Sequence, residues 1–183
     1  MSERSVSEVR KFVGNGIRKL IERAAPANTP TDIVNQVMTD FSENYRQNCA
    51  NKTRPYDGVP EVLAFLKNRG VQTAVVSNKI DFAVQQLCVQ YFDGFFDMAV
   101  GEREGIRKKP APDAVYAVPG HFGVEKKDAL YIGDSEVDIK TAANAGMDCI
   151  CVGWGFREED FLLRSGAAVV LNKPDEILGY IEV

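Results

Sequence analysis

The chain has 183 residues, 45% hydrophobic and 26% charged, which is enough to bury one ordinary core with a small accessory subdomain. Its net charge is −4 and no dense basic patch occurs, which argues against nucleic acid as a partner. No apolar run approaches the ~20 residues of a membrane span, and Met1 to Lys11 is too polar and mixed in charge for a signal peptide, so a cytoplasmic protein with no membrane partner is expected.

The front of the chain reads as helical. Over residues 7–25, Val9, Phe12, Val13, Ile17, Leu20 and Ile21 recur at helical spacing, interrupted by Gly14-Asn15-Gly16. Pro26 and residues 29–32 (TPTD) punctuate the pattern, and Thr31 or Asp32 is expected to cap a second helix with Val34, Val37, Met38 and Phe41 on its apolar face. Arg54 to Gly58 reads as a linker.

Beyond the linker the hydrophobic period changes repeatedly. Pro60 suits the first turn of a helix that Gly70 ends. Val71 to Val76 is a β-branched run expected to stop at Ser77-Asn78, followed by a helix over Ile80 to Tyr91 and a strand over Phe95 to Val100. Pro112 opens another helix, which Pro119-Gly120 should end or kink. Ala129 to Ile132 is a short strand, Val137 to Ala145 a helix stopped by Gly146, and Cys149 to Val152 and Ala168 to Leu171 are strands. Pro174 starts a terminal helix. Strands that are continuously apolar and alternate with helices indicate an α/β fold with a parallel sheet covered on both faces.

Few chemistries fit the reactive side chains. The four cysteines, Cys49, Cys88, Cys149 and Cys151, form no CxxC pair and read as reduced buried thiols. The single histidine, His121, sits beside Gly120 in an expected loop, which nearly excludes a multi-histidine metal site or a Ser-His-Asp triad. Catalysis must therefore run on carboxylates, lysines and hydroxyls.

Three segments place such groups just past strand ends, where open α/β sheets bind ligands. In Val75-Val76-Ser77-Asn78-Lys79, a hydroxyl and backbone N–H groups can take phosphate oxygens, although Ser-Asn is also ordinary turn chemistry. In Lys108-Lys109-Pro110-Ala111-Pro112-Asp113, two prolines hold the loop after the lysines and can fix an ammonium in place, although a solvated charged loop reads the same way. In Gly133-Asp134-Ser135-Glu136-Val137-Asp138, Asp134 leaves the strand end where a hard cation would take a carboxylate oxygen. Asp138 returns to the same place one helical turn later, which mere helix capping by Asp134 or Ser135 would not need.

The order and spacing of these three segments resemble the second, third and fourth motifs of the haloacid dehalogenase superfamily, closest to its phosphoglycolate phosphatases, and the resemblance runs through nearly the whole chain. Tyr56-Asp57-Gly58-Val59 resembles the family's re-entry from cap to core, and Phe12-Val13-Gly14-Asn15-Gly16 a segment of its cap. The resemblance implies a Rossmann-like core over residues 56–183 and a partial helical cap over residues 1–55. It implies Mg²⁺ as cofactor and a small phosphorylated metabolite as substrate. It assigns Ser77 and Asn78 to phosphate, Lys109 to phosphate and nucleophile charge, Asp134 to metal, Asp138 to support of that metal site, and Gly14, Asn15 and Gly16 to substrate contact.

The family's nucleophile is the first aspartate of a DxDGT segment on its central first strand, which forms an aspartyl-phosphate. No DxD occurs in this chain. A truncated product, a fragment, a non-catalytic relative and a strand supplied by a second chain all fit; truncation, with little or no turnover, is the expected one. The rival reading is a non-enzymatic phosphate-binding or regulatory relative. Without a first strand, the strands ending at Ser77 and Gly133 must face a gap or pair directly, and open edges favour self-association.

Overall fold

The computed structural model describes residues 3–181. Three helices come first: α1 (Val6–Phe12), α2 (Ile17–Ala24) and α3 (Thr31–Asn48). A capping box starts α1, with Ser5 and Glu8 bonding each other's backbone N–H groups. Gly16, at a φ of 83°, separates α1 from α2, which fits the expected interruption at Gly14–Gly16. Pro30, not Thr31 or Asp32, occupies the N-cap position of α3; its extended backbone leads into the helix, and no side chain caps it.

The remainder alternates strands and helices: α4 (Val59–Asn68), β1 (Ala74–Ile80), α5 (Asp81–Phe92), β2 (Met98–Glu102), α6 (Asp113–Phe122), β3 (Leu130–Gly133), α7 (Glu136–Ala145), β4 (Asp148–Val152), α8 (Glu159–Arg164) and β5 (Val170–Leu171), with a 3₁₀ helix over Pro174–Tyr180. All pairings are parallel, as expected. Leu130 and Ile150 enter one apolar cluster, with Val62 and Leu66 of α4 and Ile177; their chain neighbours Tyr131 and Cys149 enter another, with Val115 of α6 and Ala142 and Ala145 of α7. Consecutive strand residues point to opposite faces, so helices cover both faces of this sheet. Burying each large aliphatic side chain in these clusters contributes about 1.5–3 kcal/mol.

The strands form two sheets, β1–β2 and β3–β4–β5, and β1 does not pair with β3. Of the two expected outcomes, the gap is the one found. Its effect is visible in burial: all seven residues of β1 are only half-buried, although the strand is apolar over Ala74 to Val76, and Ile132 of β3 is exposed.

Several boundaries differ from expectation for identifiable reasons. β1 starts at Ala74 rather than Val71, because the Val71 N–H closes the end of α4 on the Leu66 carbonyl and the Thr73 N–H bonds Asp97. It then runs through Ser77, Asn78 and Lys79, with an irregularity in its register after Val76. β2 starts at Met98, not Phe95, because Phe95 N–H closes a turn on Phe92. Pro119 neither ends nor shortens α6, which continues to Phe122; the proline is buried, and Gly123 rather than Gly120 makes the left-handed cap. His121 is accordingly in the last helical turn and not in a loop. The helix α8 was not legible in the sequence. All four cysteines are free, but only Cys49 and Cys151 are buried, while Cys88 and Cys149 are half-buried.

Candidate active site

The carboxyl ends of β1 and β3 bring the three sequence segments together around Lys109. The Lys109 ammonium donates to the Val76 carbonyl at 3.0 Å and to Asp138 Oδ1 at 2.7 Å, and lies 3.3 Å from the Tyr131 hydroxyl. Its side chain and that of Asp138 retain only 13% and 7% of their surface, so this is a buried ion pair rather than a solvated charge. The loop that carries Lys109 is pinned by Asn78, whose amide donates to the Lys109 carbonyl and whose Oδ1 accepts the Lys109 N–H at 2.8 Å. Asn144 donates to Pro110 at 2.8 Å from the other side.

Asp138 does return to the strand end, one turn into α7, but its oxygens are already engaged. Oδ1 takes Lys109 and the Tyr131 hydroxyl; Oδ2 takes the Ser135 hydroxyl at 2.5 Å and the Asp134 N–H at 3.2 Å. Burial pushes its carboxyl up, but the Lys109 charge and these donors outweigh it and hold the group below the usual aspartate range. Asp138 therefore positions Lys109 and the backbone of Asp134. Its close packing against the strand requires the residue opposite to be glycine: a Cβ on Gly133 would overlap Asp138 Cβ and Cγ.

Asp134 sits differently. Burial first, and the neighbouring Asp138 charge second, push its carboxyl above the usual range, and the Phe156 N–H on its Oδ2 at 2.9 Å offsets this only in part. Its side chain does not cap α7; Ser135 occupies the N-cap position and makes no side-chain capping bond either. A carboxylate held in this way is relieved by a cation. Among the described residues no group of three His, Cys, Asp or Glu side chains is placed to hold a metal. One protein carboxylate completed by water and phosphate oxygens is nevertheless within the ordinary habit of Mg²⁺, and Asp134 is the residue that would provide it.

Ser77 lies on β1 next to Val76, its hydroxyl accepting the Lys79 N–H at 3.1 Å. The Asn78 side chain is occupied: besides Lys109 it donates to the Gly14 carbonyl at 3.2 Å, which seats the loop between α1 and α2 on the site. Gly14, Asn15 and Gly16 are thereby brought to the same strand end as the lysine and acidic segments. Lys79 points away from Lys109, with its ammonium on the Tyr45 hydroxyl of α3 at 2.5 Å.

Three contributors had no role in the sequence reading. The Tyr131 hydroxyl braces Asp138 and Lys109 from within β3; burial and the Asp138 charge raise its pKa, so it stays a neutral donor. A polar-tipped aromatic in an otherwise apolar strand was the available signal. The loop after β4 supplies the Phe156 N–H, and a Cβ on Gly155 would strike Asp134, so this glycine too is needed for close approach. Two glycines just past a strand, Gly153 and Gly155, hinted at it. Arg157 holds that loop with a two-pronged bond to Glu136, both contacts at 2.8 Å. No local sequence pattern links those two residues.

The haloacid dehalogenase-like hydrolase family profile matches residues 1–152. The phosphoglycolate phosphatase of Nitrosococcus oceani is 30% identical over 180 residues, spanning 96% of this chain and 77% of that protein. The N-acetylmuramic acid 6-phosphate phosphatase of Pseudomonas aeruginosa is 28% identical over 176 residues, spanning 95% and 78%. A crystal structure of a candidate phosphoglycolate phosphatase from Lactobacillus delbrueckii subsp. bulgaricus superposes with a TM-score of 0.90 at 36% identity, covering 98% of this chain and 84% of that one. The chain belongs to the haloacid dehalogenase-like hydrolases.

Proposed function

We propose that this haloacid dehalogenase-like chain carries the phosphate and metal half of a Mg²⁺-dependent phosphomonoester hydrolase site, acting on a small phosphorylated acid of the phosphoglycolate kind. The observation that carries the reading is the convergence of Lys109, Asp134 and Asp138 with the Val76 carbonyl, one residue before Ser77, from three separated segments at the carboxyl ends of β1 and β3. Phosphatases named for phosphoglycolate and for N-acetylmuramic acid 6-phosphate are among the relatives, and each substrate is the phosphate ester of an acid.

In this reading Ser77 and the backbone beside it receive phosphate oxygens. Lys109, prevented from swinging by Val76, Asp138 and Tyr131, places a fixed positive charge where the transferring phosphoryl group gathers negative charge; a charge already in place needs no reorganisation during reaction. Asp134 holds Mg²⁺, which when bound neutralises phosphate charge. Asp138 and Tyr131 keep Lys109 aimed, and residues 1–55 act as a cap that carries Gly14–Gly16 over the site. Attack on phosphorus needs an unengaged carboxylate. Asp138 is fully engaged and Asp134 is assigned to metal, so neither is free to attack, and low turnover is expected. The same occupancy favours a second reading, a phosphate-binding relative without catalysis. Among the described residues β1 and β3 each leave one edge unpaired, which supports self-association, and a cytoplasmic location fits the sequence.

Inorganic phosphate titrated into the purified protein with excess Mg²⁺, followed by calorimetry, tests the reading. Saturable binding that Lys109→Met weakens at least roughly tenfold is expected, since a hydrogen bond to a charged group contributes about 1.5–3 kcal/mol. No binding to wild type, or equal binding to the variant, would sink it. Hydrolysis of an aryl phosphate that is lost on Asp134→Asn would instead overturn only the expectation of low turnover.

A further inference from the structure

Lys108 and Lys109 are adjacent in sequence but face opposite ends of the site. Lys109 turns down to the strand ends. Lys108 turns toward the loop between α1 and α2, with its ammonium 2.5 Å from Glu102 Oε1 at the end of β2. Glu102 and Lys108 keep 24% and 34% of their side-chain surface, so the pair is screened yet reachable by a small solute. The other Glu102 oxygen, Oε2, is buried and finds no hydrogen-bond partner among the described residues, which is a costly way to hold half a carboxylate. Gly16 closes over the pair. A Cβ built there would stand 2.5 Å from Lys108 Nζ and 2.8 Å from Glu102 Oε2, so this position keeps open the space beside the ammonium that any side chain would fill.

The loop above ties this pair to the phosphate end. Gly14 receives the Asn78 amide, whose other bonds clamp Lys109, and Gly16 lies against Lys108. Two residues of extended chain span at most about 7 Å, so the two anchor points are a short distance apart. Lys79, the remaining lysine nearby, is held on Tyr45 and does not compete.

We infer that Lys108 is a specificity-determining residue that takes the carboxylate of a short phosphorylated acid, and that Glu102 occupies that place until the substrate arrives. This rests on the phosphatase reading above and adds to it which residue reads the non-phosphate end. Glu102, with one oxygen unbonded, is an imperfect occupant and so can be displaced by a carboxylate that arrives tethered to a phosphate.

The test compares 2-phosphoglycolate with monoethyl phosphate, which has the same ester phosphate and no carboxylate, by calorimetry with excess Mg²⁺. Inorganic phosphate serves as the reference for the phosphate end. Wild type should prefer phosphoglycolate by roughly tenfold, the size of one charge-assisted contact. Lys108→Met should collapse that ratio to within about twofold, and Glu102→Gln should widen it by weakening the competitor. A ratio that survives in Lys108→Met, or an absent preference in wild type that binds inorganic phosphate, overturns the inference alone. Failure of wild type to bind inorganic phosphate overturns both it and the phosphatase reading. Should Lys108→Met not fold, an unchanged ratio in Glu102→Gln overturns the inference.

Discussion

Replacing Lys109 by methionine removes the cation from a buried pair while keeping most of its volume. At 2.7 Å and an effective dielectric near 20, the pair's gross attraction is about 6 kcal/mol, set against the desolvation of both ions. The variant loses that attraction without recovering the cost of burying Asp138. Breaking such a pair from one side typically costs about 3–5 kcal/mol. Three donors remain on Asp138, from Tyr131, Ser135 and the Asp134 backbone, so the low end is expected, about 3 kcal/mol at pH 7. Urea unfolding of wild type, Lys109→Met, Asp138→Asn and the double variant measures it as a cycle. The double variant should be more stable than Lys109→Met, because the uncompensated charge is gone. The pH dependence has a definite sign. Asp138 has a lowered pKa in the folded protein, so its contribution is present above the unfolded aspartate value of about 3.9 and is lost as pH falls through the folded value. In Lys109→Met the cation is absent and burial favours the protonated acid, so the gap between wild type and variant should narrow on acidification. A loss below about 1 kcal/mol at pH 7, the range of an exposed pair, or a coupling energy near zero would refute the buried-pair argument.

The other predictions concern the aspartates and the glycines that admit them. Gly133→Ala forces Asp138 off its position, because the new Cβ meets the rigid base of that side chain; a loss of about 1–3 kcal/mol in urea unfolding is expected, and wild-type stability would contradict the packing. Asp134→Asn removes a carboxyl whose pKa is raised by burial and by Asp138. Its ionised form therefore costs stability at neutral pH, so the variant should melt no lower than wild type at pH 7, while losing the rise in Tm that saturating Mg²⁺ gives wild type. A Mg²⁺-dependent rise that persists in Asp134→Asn would remove this residue as the metal ligand. For wild type, the Mg²⁺ effect should fade at a pH above the ordinary aspartate range of about 3.9, as Asp134 takes up its proton; a titration of Tm against pH with and without Mg²⁺ reads this directly.

Much of the architecture follows from local order along the chain. Apolar runs between Gly and Pro punctuation determine that strands and helices alternate, and continuous apolarity in strands such as Cys149 to Val152 determines a parallel arrangement covered on both sides. The segments at Ser77, Lys109 and Asp134 were legible because a fixed spacing of hydroxyl, lysine and acid at strand ends is a local pattern. What Pro119 does inside α6 was not legible, since the outcome depends on whether the ring is buried by its neighbours and not on the residue itself. The same holds at the site. That Asp138 is bound to Lys109 while Asp134 is buried beside a like charge, that Tyr131 braces Asp138 and Lys109, and that Arg157 and Glu136 hold the loop over Asp134 all depend on residues 7 to 29 positions apart in the chain meeting in space. Two lysines side by side in sequence have the same intrinsic chemistry. Only the fold turns Lys109 toward a buried carboxylate and Lys108 toward Glu102 and Gly16, because charge, burial and distance are properties of the packed arrangement.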